Sequence, residues 1–121
     1  MYKIYFYKDR HGRQQAYEYL QGLAKRTDKD SRIKLKKHND YLQALAVYGL
    51  KLGEPYIKHL QGEVWELRPL RDRSLFVALN KDGFLILHTF MKKTQKTPQR
   101  EIEQALRELV DFKERCVDYD D

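Results

Sequence analysis

The sequence predicts an α+β fold: an N-terminal strand, a helical hairpin, a three-stranded antiparallel meander and a C-terminal helix. Three observations carry this expectation. Apolar residues recur at helical spacing over 16–24 and again over 35–46, each marking one face of a helix. Three runs rich in aromatic and branched residues follow at 64–68, 74–79 and 84–90, with turn residues between them. A proline-led segment from residue 98 then returns to helical spacing.

Taken in order, KIYFY (3–7) sets Ile4 and Phe6 against Tyr5 and Tyr7, the alternation of a short strand. After the break at DRHGR, Ala16, Leu20, Leu23 and Ala24 define the first helix. The loop TDKDS (27–31) offers several N-cap residues. The second helix turns Leu35, Leu42, Leu45 and Ala46 inward, and RIKLKKHND supplies a wet basic flank; Gly49 and Gly53, with Pro55 beyond, end it. VWELR, SLFVAL and FLILHTF are the three strands. PLRDR (69–73) turns between the first two, and NKDG (80–83) is the hairpin turn between the last two. Thr97 and Pro98 then provide an N-cap and a first-turn proline, and Ile102, Ala105, Leu106 and Leu109 continue the last helix. The expected core is a curved, mainly antiparallel sheet with the helical hairpin on one face.

A chain of 121 residues suits one domain, 1–121, with a single core. No apolar run approaches the roughly 20 residues that cross a bilayer. The opening MYKIYFYKDRHGR lacks the features of a signal peptide, so the expected setting is the cytoplasm. The one cysteine, Cys116, permits neither an internal disulfide nor a cysteine-based metal site and reads as incidental. No cofactor is expected.

The net charge of +6 is unevenly spread. Residues 1–65 carry 13 Lys/Arg against 7 Asp/Glu, residues 66–100 carry 8 against 3, and residues 101–121 carry 3 against 8. A chain basic for its first hundred residues favours a polyanionic partner, nucleic acid foremost; basic helices that merely confer solubility are the bland alternative. The acidic stretch 108–121 reads as solvated surface, with capping of the basic surface as its alternative.

Alternation along VWELR puts Val64, Glu66 and Arg68 on one side and Trp65 and Leu67 on the other, core side. Glu66 and Arg68 are therefore expected to project from the exposed face. Arg71 and Arg73 follow at the turn and the start of the next strand; Lys92 and Lys93 close the last strand, with Lys96 in the loop beyond. In a meander the first and third strands run parallel, so these three clusters converge on one rim of the sheet. Arginine offers a planar fork to two phosphate oxygens and lysine a compact point charge, a combination suited to phosphate. Tyr5, Tyr7, Tyr56, Phe76 and Phe90 are candidate stacking faces for bases, although most suit the core better.

RNA carries its own nucleophile, the 2′-OH, so cleavage needs positioning, charge stabilisation and proton transfer. His11, His38, His59 and His88 are scattered. His88 is either a packed strand histidine or a group that reaches the face of Lys92. The other candidates for proton transfer are Glu66 and a lysine whose pKa is lowered by neighbouring cations.

With WELR (65–68), Arg73 and FMKKTQKTPQREIEQA (90–105) in view, the chain resembles the RelE/ParE toxin superfamily, its HigB-like, phage-derived (Gp49-like) branch above all. All three parts occur in order; the glycine-rich turn common in relatives is replaced by PLRDRS. The resemblance implies a type II toxin that cuts mRNA on the ribosome and is neutralised by a helix-turn-helix antitoxin. By position it implies Arg68, Arg73, Lys92, Lys93 and Glu66 as catalytic groups. Lys96, Arg71 and His88 would then contact RNA, and Lys36 and Lys37 of the basic hairpin would dock on ribosomal RNA. A gyrase-poisoning toxin of the same superfamily and a non-toxic nucleic-acid-binding module are the rival readings.

Overall fold

The computed structural model describes residues 1–80 and 82–115; Cys116 and the acidic residues beyond it lie outside them. Strand β1 (Lys3–Phe6) leads into helices α1 (Gln15–Lys25) and α2 (Lys29–Tyr48), the latter extended by a 3-10 turn, Gly49–Leu52. Strands β2 (Ile57–Gln61), β3 (Val64–Leu67), β4 (Asp72–Leu79) and β5 (Gly83–Met91) follow, and helix α3 (Gln99–Arg115) ends the described chain. The five strands form one sheet in the order β1-β5-β4-β3-β2. β1 runs parallel to β5, and the other three pairings are antiparallel.

The expected α+β layout is present, and its meander carries one strand more than the sequence announces. IKHLQ forms edge strand β2 beside β3. Only Ile57 on it is buried, so its apolar signal is weak. The β2–β3 turn passes through Gly62 at φ 56, the left-handed region that glycine enters without steric penalty.

Both faces of the sheet are covered. The α1–α2 hairpin packs on one, where Ala16 and Leu45 meet Ile57, Leu67, Phe76, Phe84 and Ile86. α3 covers the other, where Ala105 and Leu109 meet Val64, Leu75, Val77, Leu85 and Leu87. This explains the unbroken apolar run 84–87. β5 is central, so its alternate residues are buried on opposite sides. The expectation of an open face is thus corrected: α3 turns that face into a second core. Ile102, Ala105 and Leu109 are its buried stripe.

Local signals set the helix ends. Asp28 caps α2, its side chain accepting from the Ser31 amide at 3.0 Å. The flank RIKLKKHND is wet only in part. Lys36 is exposed and pairs with Asp40 at 3.1 Å, one helical turn on. Lys34 and His38 turn towards the sheet instead, and His38 is fully buried.

One irregularity in β5 matters for the site. Leu75 pairs with His88 but Phe76 pairs with Ile86, so Leu87 is an extra residue. Leu87 and His88 therefore both face α3, where simple alternation would separate them.

Candidate active site

The meander does what its topology requires. Leu67 pairs with Ser74, Arg73 with Phe90 and Asp72 with Met91, so the end of β3, the start of β4 and the end of β5 meet at one rim. The Lys92 amide extends the ladder by donating to the Arg71 carbonyl at 2.7 Å. Arg71, Arg73, Lys92 and Lys93 then line one open cleft of about 430 Å³ with Leu70, Thr94 and Gln95. The β3–β4 turn, the start of β4 and the segment after β5 supply these cations.

Arg73 is held in place by its own turn. Its Nη1 donates to the Leu70 carbonyl at 2.7 Å and to the Asp72 carbonyl at 2.8 Å. Leu70 adopts φ 53, a left-handed conformation uncommon outside glycine. PLRDR therefore reaches the conformation of a glycine turn without a glycine.

Glu66 is not where alternation on an open face would put it. It is 1% exposed, because α3 and the segment before it cover its face. Its Oε1 lies 3.4 Å from Arg68 Nε and 3.8 Å from Arg73 Nε. Its Oε2 accepts a hydrogen bond from the Thr97 hydroxyl. Burying a carboxylate costs several kcal/mol, offset only where cations and donors surround it, and this one sits between two guanidiniums and a hydroxyl. Neither the Arg68 Nε nor the Arg73 Nε has a hydrogen-bond partner, although both atoms are buried. One carboxylate thus neutralises two guanidiniums incompletely and leaves both Nε donors unfilled.

The electrostatics follow from that imbalance. Burial lowers the Arg73 pKa, Glu66 opposes the shift, and Arg68 adds to it. Burial also lowers the Lys92 pKa, with the Arg73 charge as the next contributor and Arg68 and Lys58 reinforcing it. Lys92 is half-buried and Lys93 exposed. The arrangement offers a fixed fork of cationic donors and an ammonium that releases its proton more readily than an ordinary lysine.

The remaining expected residues divide sharply. Arg71 is exposed in the wall of the cleft. Lys96 is exposed in the adjoining loop, its carbonyl accepting from Thr94 at 2.6 Å. Lys36 and Lys37 lie on α2 and are not among the cleft's lining residues. His88 adopts the packed reading. It is 2% exposed, with Nδ1 at 2.6 Å from Glu108 and Nε2 at 3.1 Å from Glu101. Both its nitrogens are committed to α3, which removes it from the RNA contacts. Of the candidate stacking residues, Tyr7 and Phe76 are core, and Tyr56 is 41% exposed.

The sequence reading missed a buried polar layer beneath the arginine turn. Asp72 is 1% exposed and accepts from Tyr19 Oη at 2.7 Å, with Lys34 Nζ at 3.2 Å. His38 Nε2 lies 2.7 Å from Ser74 Oγ, which in turn lies 2.7 Å from Thr89 Oγ1. Burial depresses the His38 pKa to about 4. These groups tie α1 and α2 to the residues flanking Arg73. The available signal was the i, i+4 spacing of Lys34 and His38 on one face of α2.

No curated protein matches the chain significantly. The family model described as phage-derived protein Gp49-like matches residues 18–110, a span from α1 into α3 that takes in the whole cationic rim. The chain therefore belongs to the phage-derived, Gp49-like protein family.

Proposed function

We propose that this protein is the toxin of a toxin–antitoxin pair and that it cuts messenger RNA on the translating ribosome. One observation carries the reading: two guanidiniums share a single buried carboxylate, keep unfilled Nε donors, and stand beside a lysine of lowered pKa. Membership of a phage-derived family and the resemblance of WELR, Arg73 and FMKKTQKTP to toxin motifs agree with it.

In this mechanism Arg73 and Arg68 grip the scissile phosphate through its non-bridging oxygens and stabilise the charge that builds there. The RNA 2′-OH attacks phosphorus while neutral Lys92 takes its proton. The bond from phosphorus to the 5′-oxygen breaks, and the Lys93 ammonium protonates the departing oxygen. The products are a 2′,3′-cyclic phosphate and a 5′-hydroxyl, with no net gain or loss of protons. Glu66 acts by orienting the two guanidiniums, since its carboxylate faces them and Thr97. Arg71 and Lys96 steer flanking phosphates, and Lys36 and Lys37 dock on ribosomal RNA. A helix-turn-helix antitoxin is the neutralising partner, and the cytoplasm is the setting. No helix among the described residues is long and apolar enough to cross a membrane.

The test is to add purified protein to translating ribosomes and map transcript 5′ ends. Cuts that need the ribosome and carry 5′-hydroxyls are expected. Intact messages in the presence of folded protein, or DNA damage in place of RNA cuts on expression, would overturn the reading.

A further inference from the structure

β1 pairs with β5 only over Gly83–Ile86, so the last five of the nine residues of β5 have no paired strand residue on that side. A second cleft, of about 550 Å³, runs along this edge between α1 and the start of α3. It shares Lys92, Lys93 and Thr94 with the arginine cleft, so the two depressions lie either side of one short segment. Its apolar lining is Tyr19, Phe90 and Met91, and Lys34, Arg100 and Glu101 bring charge of both signs to its walls, Lys34 lying over one face of the Tyr19 ring and pairing with Asp72.

A bare sheet edge would ordinarily invite another strand. Here Gln15 blocks it. The Gln15 side-chain amide donates to the Thr89 carbonyl and accepts from the Thr89 amide, both at 2.8 Å, and so mimics a neighbouring strand. With the outward backbone groups of Thr89 occupied, an added peptide has little ladder to join. Side chains form the remaining surface: two aromatic rings, a polarisable thioether, and cations that outnumber the one carboxylate, Glu101. Its volume lies in the range of small-molecule sites. Flat rings flanked by cations suit a planar heterocycle joined to an anion.

We propose that this second cleft seats one nucleobase of an RNA strand, against Tyr19, Phe90 and Met91, while the neighbouring phosphate rests on Arg73. The inference rests on the nuclease reading for the identity of the polymer, and it adds a base subsite to a site that otherwise reads only backbone. Arg100, with an 82% exposed side chain, stands at the mouth and meets the phosphate on the far side of that base. Substrate preference then arises partly from this cleft and partly from the ribosome.

The probe is a six-nucleotide RNA, 2′-O-methylated throughout so that it is not cut, with 2-aminopurine at each position in turn. Titrated at low salt, one position is expected to lose most of its fluorescence. Met91→Ala and Arg100→Glu each weaken binding by roughly tenfold, the worth of one stacked base or one phosphate contact. Both side chains are exposed, so both variants fold. Met91→Ala also abolishes the position-specific quench. Equal quenching at every position, or wild-type affinity in Met91→Ala, overturns the subsite while an Arg73→Ala defect still supports the arginine cleft. Undiminished RNA binding by Arg73→Ala overturns the nuclease reading instead. Displacement of the RNA by hexaglutamate from the wild type but not from Met91→Ala would make the cleft a peptide dock and overturn the proposal.

Discussion

Two clusters of opposite charges stand at opposite ends of α3, and they are built differently. At the C-terminal end, Asp111 accepts from Tyr7 and from Arg10 Nε at 2.7 Å, and it pairs with Arg115 Nη2 at 2.8 Å. Arg115 also donates to the Lys8 carbonyl. The Tyr7 hydroxyl, with Arg115 and Arg10, holds the Asp111 carboxyl down at about 2. At the N-terminal end, Glu66 faces Arg68 and Arg73 at 3.4 and 3.8 Å, with neither Nε hydrogen-bonded. The first cluster is closed: its charges meet in hydrogen-bonding geometry and fasten α3 to the chain after β1. The second is left short of an anion. A buried donor without a partner costs about 1–3 kcal/mol, so the second cluster is costly to hold where the first is not.

This contrast makes the two ends separable by mutation. The largest effect is expected from Arg73→Ala, which removes the best-anchored guanidinium. Ribosome-dependent cleavage should fall by about 10²–10³-fold, as when one oxyanion donor is lost, with circular dichroism unchanged. Arg73→Lys, which keeps charge but loses the fork, should recover only a small part. Normal cleavage by Arg73→Ala would place the chemistry elsewhere.

Glu66→Gln comes next. If the carboxylate orients guanidiniums and transfers no proton, the rate should drop roughly 10–100-fold while the shape of the pH–rate profile is retained. A profile that loses one limb in this variant would make Glu66 a proton carrier.

The pH profile itself tests Lys92. A base works deprotonated, so the rising limb of the profile belongs to Lys92 and should be complete below the ordinary lysine value of 10.5, because burial and the Arg73 charge lower the Lys92 pKa. Arg73→Ala removes one of those causes and should move the rising limb to higher pH in whatever activity remains.

Stability against acid reports on the layer beneath the arginine turn. His38 has a folded pKa of about 4 against an ordinary 6.5, so between those values the unfolded chain binds the extra proton. Stability is complete above about pH 6.5 and is lost as pH falls towards 4, by about 3 kcal/mol in all. Urea titrations at pH 7 and pH 4.5 check this, and His38→Asn should flatten that part of the dependence.

The smallest functional effect belongs to the closed cluster. Asp111→Asn should lower the melting temperature by a few degrees and leave cleavage within about twofold. A large loss of cleavage there would erase the distinction between the two ends.

Much of the molecule is written in short-range pattern. The period of 3.6 identifies α1, α2 and α3, and runs of aromatic and branched residues between turns identify β3, β4 and β5, because both signals are properties of a single segment. The convergence of Arg73, Lys92 and Lys93 was also legible, since a meander of adjacent strands leaves little freedom in where their ends meet. What alternation says is which residues share a side; what covers that side is a long-range matter. Glu66 therefore read as exposed until α3 folded over it, and His88 stood between a packed and an outward reading until the extra residue at Leu87 turned it to Glu101 and Glu108. The parallel pairing of β1 with β5 and the contacts of Asp72 with Tyr19 and Lys34 likewise join residues distant in the chain, whereas β2 is a local hairpin partner of β3 that went unread because its apolar signal is weak. Sequence by itself determined the elements and the cations they carry. Only tertiary packing decided which charges are satisfied and which are left open, because a charge is satisfied by whatever lies within a few ångströms of it, and the decisive neighbours, such as Thr97 for Glu66 and Tyr19 for Asp72, come from dozens of residues away.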